Sequence, residues 1–376
     1  MAKNGFKVFD SDMHVLESPD LWERYIDPAF RDRAPRCQTT EPRDMTVEVQ
    51  GQLIPIPQMH QSADNIYQRQ KAEEMQGDRY KHSIDLQWNA TSQLDAMDEE
   101  GLDVAVLYPS RGLMPLAMDG LDPRLGAAIA TAYNNWMYDF CQADPKRMYG
   151  AAMLSVHDVE SAVVEVRRCA KELGFRGVFL RPNLVAGRNW HDPYYDPLWT
   201  EIQDLGIPVG FHEGGRIRLP QIGSNFESSA LYHTCSHPLQ MMVTMVSMIG
   251  GGVLDRFPRL KIAFLEANCS WAPWMLWRLN EHLEPGAYAS FLHLDLKLSP
   301  IEYFRRQCYA TVECDEEPAK YMVDWVGDDN VLFSTDYPHL DSKYPEALDR
   351  FLEMPFPDET KRKFLWDNCA RYYNFS

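Results

Sequence analysis

The sequence lacks a secretion signal, a long apolar run and an excess of basic residues. The N-terminal residues, MAKNGFKVFDSD, contain no apolar region, and no run approaches the roughly 20 apolar residues that a membrane helix needs. The 37 Lys and Arg residues are outnumbered by 55 Asp and Glu residues, which gives a formal net charge of −18. Such a surface repels phosphate backbones and anionic membranes. We therefore expect a cytoplasmic protein that binds neither nucleic acid nor a membrane.

Closely spaced cysteine pairs are absent as well. The eight cysteines are scattered without a CxxC pair, and the tightest spacing is that of Cys308 and Cys314. In a chain of this length, the pattern indicates free thiols in a reducing compartment rather than a disulfide framework.

The chain does contain a series of short apolar runs separated by stretches with helical periodicity. The predicted strands are Lys7–Asp10, Val104–Tyr108, Tyr149–Leu154, Gly177–Leu180, Pro208–Phe211, Lys261–Leu265, Cys308–Val312 and Val331–Ser334. The predicted helices are Leu125–Cys141, Val159–Leu173, Pro197–Leu205, Pro238–Leu254 and Glu346–Met354. Continuous apolar strands that alternate with helices are typical of a parallel sheet covered on both faces. We predict a distorted (β/α)8 TIM barrel; a doubly wound open sheet is the alternative.

Two long connections interrupt this alternation. We interpret residues 1–376 as a single barrel domain with insertions at about 31–90, after strand one, and about 216–236, after strand five. Within the first insertion, TVEVQGQLIPIP predicts a hairpin with Gln50–Gly51 at its turn. An insertion after a barrel strand lies on the carboxyl-end face, where it can cover an active site.

Carboxylates and histidines follow several of the predicted strands. Because side chains at the carboxyl ends of barrel strands point into a common site, we expect these residues to converge. Asp10, Asp12 and His14 alternate along strand one and so share a face. The other residues at strand ends are His212, Glu213, Glu266, Glu313 and Asp336.

Buried negative charge of this amount is costly without a cation. A lone His after a strand is usually structural, but here several strand ends carry metal-binding side chains. The pattern therefore predicts a divalent metal ion, either Zn, Mn or Fe, with one ion favoured over two.

These residues lie in motifs that resemble the amidohydrolase superfamily, in the branch called amidohydrolase 2. The resemblance extends over nearly the whole chain and includes FDSDMHVLESPDLW, AMDEEGLDVAVLYP, YDPLWTEIQDLGIPVGFHEG, GGVLDRFPRLKIAFLEANCSWAPWMLWRL and LFSTDYPH. That branch includes aminocarboxymuconate semialdehyde decarboxylase and γ-resorcylate decarboxylase.

The resemblance assigns roles to particular residues. It implies that Asp12, His14, His212 and Asp336 bind the metal and that Asp336 also transfers protons. His237 resembles an additional active-site histidine, which would act as a general acid or base. No lysine matches the strand-four residue that bridges two metals in some relatives, because that strand reads GVFLRPN.

The sequence is consistent with two roles for each of the other residues near the predicted site. Arg181 either binds a substrate carboxylate or forms a structural salt bridge. Asp10, Glu213, His237 and Glu266 either orient the metal ligands or hold a second metal ion.

The resemblance favours a metal-dependent enzyme that decarboxylates or hydrolyses a small carboxylated substrate, with aromatic acids among the candidates. Decarboxylation is favoured, because Asp12 stands where hydrolases have a histidine. One alternative is a non-haem iron monooxygenase with one or two irons on the same fold. A non-catalytic binding barrel is a third, weaker interpretation. Members of this branch often dimerise, so a homodimer is left open.

Overall fold

The computed structural model describes residues 3–41, 43–56, 77–283 and 293–375. Its strands, in chain order, are β1 (Phe9–His14), β2 (Arg36–Cys37), β3 (Val47–Val49), β4 (Gln52–Ile54), β5 (Val104–Tyr108), β6 (Met148–Met153), β7 (Gly177–Leu180), β8 (Val209–His212), β9 (Ile262–Leu265), β10 (Cys308–Val312) and β11 (Val331–Phe333). Strands β1 and β5 to β11 pair in that order and in parallel, whereas β2, β3 and β4 form a separate antiparallel sheet.

The eight-stranded sheet closes on itself between β11 and β1. The Ser11 hydroxyl donates to the Phe333 carbonyl at 2.8 Å, and the His14 N–H donates to the Tyr337 carbonyl at 2.6 Å. The sheet is thus a nearly closed (β/α)8 barrel, which confirms the predicted fold and excludes the open doubly wound sheet.

The barrel strands form where the sequence has uninterrupted apolar runs. Every residue of β5, β7, β8, β9, β10 and β11 is buried, as expected for strands with helices on one side and a packed barrel interior on the other. The predicted strand positions are confirmed, with one difference at the first strand.

Strand β1 continues to His14, four residues beyond its predicted end at Asp10. The predicted span ended with the apolar run, although Asp10, Asp12 and His14 were expected to share one face of the strand. All six residues of the observed strand are buried. The register with β5 shifts between Asp10 and Met13, which is the mark of a bulge. Asp12 and His14 are therefore held by a strand rather than by a loop.

The described helices surround the barrel. They are α1 (Leu21–Tyr25), α2 (Lys81–Asp85), α3 (Ala90–Glu100), α4 (Pro123–Cys141), α5 (Val159–Lys171), α6 (Asp196–Leu205), α7 (Ser229–Met245), α8 (Val253–Arg256), α9 (Ala272–Asn280), α10 (Pro300–Gln307), α11 (Ala319–Trp325), α12 (Ala347–Glu353), α13 (Asp358–Arg362) and α14 (Asn368–Tyr372).

Helix α7 begins nine residues before the predicted start at Pro238. Proline favours the first turn of a helix, which is why the sequence placed the start there. Instead Ser228 caps the helix by accepting from the Leu231 N–H, and Pro238 lies inside it. Residues 229–236 of the predicted insertion are consequently helical, and α7 carries both His233 and His237.

The predicted hairpin is confirmed. Gln50 and Gly51 form its turn with φ values of 49° and 74°, the left-handed pair that a two-residue turn requires. The hairpin contacts loops that follow β5 and β8: Arg218 Nε donates to the Leu53 carbonyl at 3.2 Å, and Gln50 Nε2 donates to the Gly120 carbonyl at 3.2 Å. These contacts place the hairpin beside the carboxyl-end mouth of the barrel.

All eight cysteines lie among the described residues and are free thiols, as predicted. Among the described helices, none combines the length and the apolar character needed to cross a bilayer.

Candidate metal centre

Five metal-binding side chains meet at the carboxyl-end mouth of the barrel. We call them the donor cluster: Asp12, His14, His212, Glu266 and Asp336. Asp12 and His14 belong to β1, and His212 is the last residue of β8. Glu266 directly follows β9, and Asp336 lies three residues beyond β11. The parallel barrel brings these distant segments together because all its strands end at the same rim.

The distances within the donor cluster are short. One donor atom from each of His14, His212, Glu266 and Asp336 lies within 4.8 Å of the others. Asp12 offers an oxygen to each imidazole: Oδ1 is 3.5 Å from His14 Nε2, and Oδ2 is 3.7 Å from His212 Nε2. His14 Nε2 is also 3.4 Å from Asp336 Oδ1, and His212 Nε2 is 2.9 Å from Glu266 Oε2. One divalent ion would be within reach of the four atoms from His14, His212, Glu266 and Asp336. Asp12 lies outside that group of four and faces it from the side of the two imidazoles.

The donor atoms are buried and lack aligned hydrogen-bond partners among the described residues. They are Asp12 Oδ1 and Oδ2, His14 Nε2, His212 Nε2, Glu266 Oε2 and Asp336 Oδ1. Buried polar atoms normally form hydrogen bonds, so a cluster of unsatisfied ones needs an explanation. Imidazole nitrogens and carboxylate oxygens are ligands of Zn²⁺ and of Mn²⁺. The residues present therefore fit a divalent metal ion.

A backbone contact orients His14 for ligation. Its Nδ1 lies 2.8 Å from the Pro109 carbonyl, which can only accept a hydrogen bond. Nδ1 therefore carries the proton, and Nε2 presents its lone pair to the cluster. Metal-binding histidines commonly have this arrangement, because the outer partner fixes the tautomer.

The pKa values of the carboxyl groups in the cluster are shifted in both directions. Burial opposes ionisation of Glu266, but His212 and His237 outweigh burial and hold its pKa well below its usual value. Burial, then the neighbouring His339 and His212, holds the pKa of His14 well below its usual value, so the ring is neutral. Burial and the carboxylates of Asp336 and Glu266 raise the pKa of Asp12 well above its usual value. Burial and Glu266 do the same for Asp336. A bound cation would reverse this penalty for both aspartates.

Two of the carboxylates are held by unusual backbone geometry. Glu266 has a φ of 47° and Asp336 a φ of 55°, in the left-handed region that non-glycine residues rarely adopt. Such strained positions concentrate at functional sites, where the surrounding structure enforces them. In both cases the strain occurs just after a strand, where the chain turns its carboxylate into the mouth.

Asp10, which was predicted as an outer-shell or second-metal residue, lies outside the donor cluster. Its Oδ2 accepts from the Thr335 hydroxyl at 2.5 Å, and its Oδ1 accepts from the Asp12 N–H at 3.0 Å. Burial raises the pKa of this carboxyl to about 6. Asp10 thus joins β1 to the loop after β11 and positions Asp12.

Arg181 and Glu213 form a second buried group, which we call the Arg181 network together with Asn183 and Gln221. Arg181 Nη2 donates to Glu213 Oε1 at 2.5 Å, and its Nη1 donates to the Leu113 carbonyl at 3.2 Å. Glu213 also accepts from Asn183 Nδ2 at 2.9 Å and from Gln221 Nε2 at 2.8 Å. Of the two interpretations of Arg181, the geometry corresponds to the structural salt bridge. Glu213 is committed to the same network.

His237 lies at the edge of the donor cluster. Its Nδ1 is 3.0 Å from the Ser236 hydroxyl, and its Nε2 faces Glu266 Oε1 at 3.7 Å. Burial lowers the pKa of this imidazole.

Sequence reasoning did not single out His339. Its Nδ1 lies 2.8 Å from Asp336 Oδ1, its Nε2 lies 3.0 Å from the Ser110 hydroxyl, and its ring packs against that of His14 with centroids 4.0 Å apart. The available signal was a histidine three residues after Asp336 in the motif TDYPH. Glu266 was expected as an outer-shell or second-metal residue, but it stands beside His212 within the donor cluster.

Known proteins share this sequence and architecture. The profile of the amidohydrolase family matches residues 10–375. A 2-amino-3-carboxymuconate-6-semialdehyde decarboxylase from Dictyostelium discoideum is 27% identical over 80% of this chain and 81% of its own length. A γ-resorcylate decarboxylase from Polaromonas sp. is 26% identical over 74% of this chain and 86% of its own.

A solved structure shares the fold over its full length. It is a 5-carboxyvanillate decarboxylase from Novosphingobium aromaticivorans, complexed with manganese and 4-hydroxy-3-methoxy-5-nitrobenzoic acid. The alignment covers 99% of this chain and 97% of that one, with a TM-score of 0.69 and 19% identity. On the match to the family profile over nearly its whole length, the chain belongs to the amidohydrolase family and is an enzyme of the amidohydrolase 2 type.

Proposed function

We propose that this protein is a metal-dependent decarboxylase of a small aromatic carboxylic acid. The observation that carries the proposal is the convergence of six buried donor atoms, none of which forms a well-aligned hydrogen bond with a described residue. The reaction type is supported by the relatives, which are named as decarboxylases of carboxylated substrates.

We propose that Asp12, His14, His212 and Asp336 hold the metal ion and that Glu266 completes the set. When bound, a divalent ion supplies positive charge that fixes the substrate carboxylate and stabilises negative charge developing during bond cleavage. Manganese is our first candidate, because the structurally similar 5-carboxyvanillate decarboxylase contains it.

Decarboxylation breaks the bond between the ring and its carboxylate and leaves an electron pair on the ring carbon. That carbon must receive a proton as carbon dioxide departs. Asp336 is placed to manage this proton, because its Oδ1 lies 2.8 Å from His339 Nδ1, and His339 Nε2 contacts the Ser110 hydroxyl at 3.0 Å. The His339 side chain is partly exposed, so it can pass a proton from solvent to Asp336.

His237 has the properties of a second proton-transfer group. Because burial lowers its pKa, the ring is neutral near pH 7 and able to accept a proton. The Ser236 hydroxyl holds Nδ1, which leaves Nε2 directed toward Glu266 and the mouth.

No specific observation favours the oxygenase alternative. Neither relative and no neighbour described above is named as an oxygenase. A site rich in carboxylate and histidine ligands is common to both chemistries, so the ligand set alone does not support oxygen chemistry.

The proposal is tested by a carbon dioxide release assay under argon. Metal-free protein and protein reconstituted with Mn²⁺ are each incubated with γ-resorcylate, 5-carboxyvanillate and a panel of other hydroxybenzoic acids. We expect the Mn²⁺ form alone to release carbon dioxide from at least one of them, at the same rate in argon and in air. A product that forms only in step with oxygen uptake would contradict the proposal, as would equal release without metal.

A further inference from the structure

A second set of metal-binding side chains lies directly beside the donor cluster. Each of His233, His237 and Glu266 offers one donor atom, and these atoms lie within 4.8 Å of one another. The two histidines are four residues apart on α7, so they occupy the same face of the helix. Their rings pack together with centroids 4.5 Å apart.

Glu266 belongs to both sets through different oxygens. Its Oε2 lies 2.9 Å from His212 Nε2 in the donor cluster, and its Oε1 lies 3.7 Å from His237 Nε2. A carboxylate that turns one oxygen to each of two imidazole-lined spaces has the geometry of a bridging ligand. Two-metal sites built in this way hold their ions about 3.5–4 Å apart.

The surroundings of the second set are acidic. Asp341 Oδ2 lies 3.6 Å from His233 Nε2 and adds a carboxylate at the rim, outside the set of three. Glu313 is nearby as well: burial and the carboxylates of Glu266 and Asp341 raise its pKa to about 8. Lys343 offsets this only in part, so the rim has more carboxylates than nearby cations.

We infer that the protein binds a second divalent cation through His233, His237 and Glu266, with Glu266 bridging it to the first. The inference rests on the proposed metal-dependent function. In the form with two cations, a ring nitrogen of His237 is a metal ligand. A ring nitrogen that binds a cation carries no proton.

The test is a titration of metal-free protein with Mn²⁺, with bound metal counted per chain and the spectrum recorded by electron paramagnetic resonance. We expect two ions in the wild-type protein, with the half-spaced hyperfine pattern of a spin-coupled pair. His233→Gln should bind one ion and give the pattern of an isolated Mn²⁺. The ring of His233 is largely solvent-exposed, so this substitution leaves the barrel core intact.

Cys235→Ser is the matched control on the same helix, since Cys235 is partly exposed and lies outside both sets. It should retain two ions and the coupled spectrum. One ion in saturated wild-type protein would overturn the inference while leaving the proposed function intact. No bound ion would count against both, and two ions in His233→Gln would remove His233 from the site and overturn the assignment.

Discussion

The donor cluster and the Arg181 network are two buried carboxylate-containing groups at the same mouth of one barrel. The two groups contain adjacent residues, because His212 belongs to the donor cluster and Glu213 to the Arg181 network. In the Arg181 network, both Glu213 oxygens accept hydrogen bonds from Arg181, Asn183 and Gln221. In the donor cluster, both Asp12 oxygens face imidazole nitrogens and have no hydrogen-bond partner among the described residues.

A buried structural carboxylate and a buried metal ligand can be distinguished by their hydrogen-bond and ion-pair partners. Burial is the same in both groups, and so is the residue type, but one group is neutralised by a guanidinium within the protein. In the donor cluster, the ion-pair partners of the carboxylates among the described residues are histidines rather than a guanidinium, and the lone pairs point to one place. A buried carboxylate that is already paired stabilises the fold, whereas an unpaired set is complete only with a bound ion.

The most severe test of this comparison removes two ligands at once. His14→Ala combined with His212→Ala should abolish metal binding and turnover, because two imidazole ligands are lost and leave only carboxylates. Metal per chain is measured by elemental analysis after dialysis. Stoichiometric metal in the double variant would show that the ligand set is wrong.

Asp336→Asn should have the next largest effect. The amide cannot carry a proton to or from the substrate, so we expect kcat to fall by roughly 10²–10⁴, the usual contribution of a general acid or base. Circular dichroism checks that the fold is retained. A rate equal to that of the wild type would remove Asp336 from the mechanism.

Arg181→Met tests the other half of the comparison. It leaves Glu213 buried without its cation, so the free energy of unfolding should fall by about 3–5 kcal/mol in urea denaturation. Bound metal should stay stoichiometric. The matched control is Arg167→Met, which breaks a salt bridge to Glu201 on the surface and should cost less than about 1 kcal/mol. Loss of metal together with unchanged stability would reverse the roles that we assign to the two groups.

Glu100 provides an intermediate case, a single buried carboxylate without other donors converging on it. Its Oε1 accepts from the Leu348 N–H at 2.7 Å, whereas Oε2 is unpaired among the described residues. Burial raises its pKa from 4.5 to about 7, so we expect it to titrate rather than to bind metal.

The pKa of Glu100 is higher in the folded protein than in the unfolded chain, so the folded protein binds more protons between pH 4.5 and 7. The free energy of unfolding of the wild type therefore falls as the pH rises through that range. Glu100→Gln lacks this titration. Its free energy of unfolding, measured relative to that of the wild type, should therefore be about 3 kcal/mol higher at pH 8 than at pH 4. Denaturation curves at both pH values measure the difference. An identical pH dependence in the two proteins would show that folding does not raise the pKa of Glu100.

Much of the fold was predictable because buried parallel strands leave a plain sequence signal. The runs VAVLY, GVFL and CYATV coincide with β5, β7 and β10. The end of β1 gave no apolar signal, because DSDMH is polar, and only the alternation of Asp10, Asp12 and His14 indicated that the strand continues. The start of α7 was missed because Pro238 is inside a helix whose cap, Ser228, lies well upstream.

The site was predictable in outline, because the strand ends of a barrel converge and Asp12, His14, His212 and Asp336 all lie at or just beyond such ends. The pairing of Arg181 with Glu213 was not, since it depends on the alignment of β7 with β8. His339 was also missed. It comes after the last strand, and only the path of the loop beyond Asp336 returns its ring to the cluster.

Anomalous diffraction from a crystal of the protein grown with Mn²⁺ is the most direct test of metal binding by the donor cluster. We predict a peak among the donor atoms of Asp12, His14, His212 and Asp336, within ligand distance of their nitrogen and oxygen atoms. A well-ordered mouth in which those side chains hydrogen-bond to one another or to water, with no peak between them at saturating metal, would contradict it.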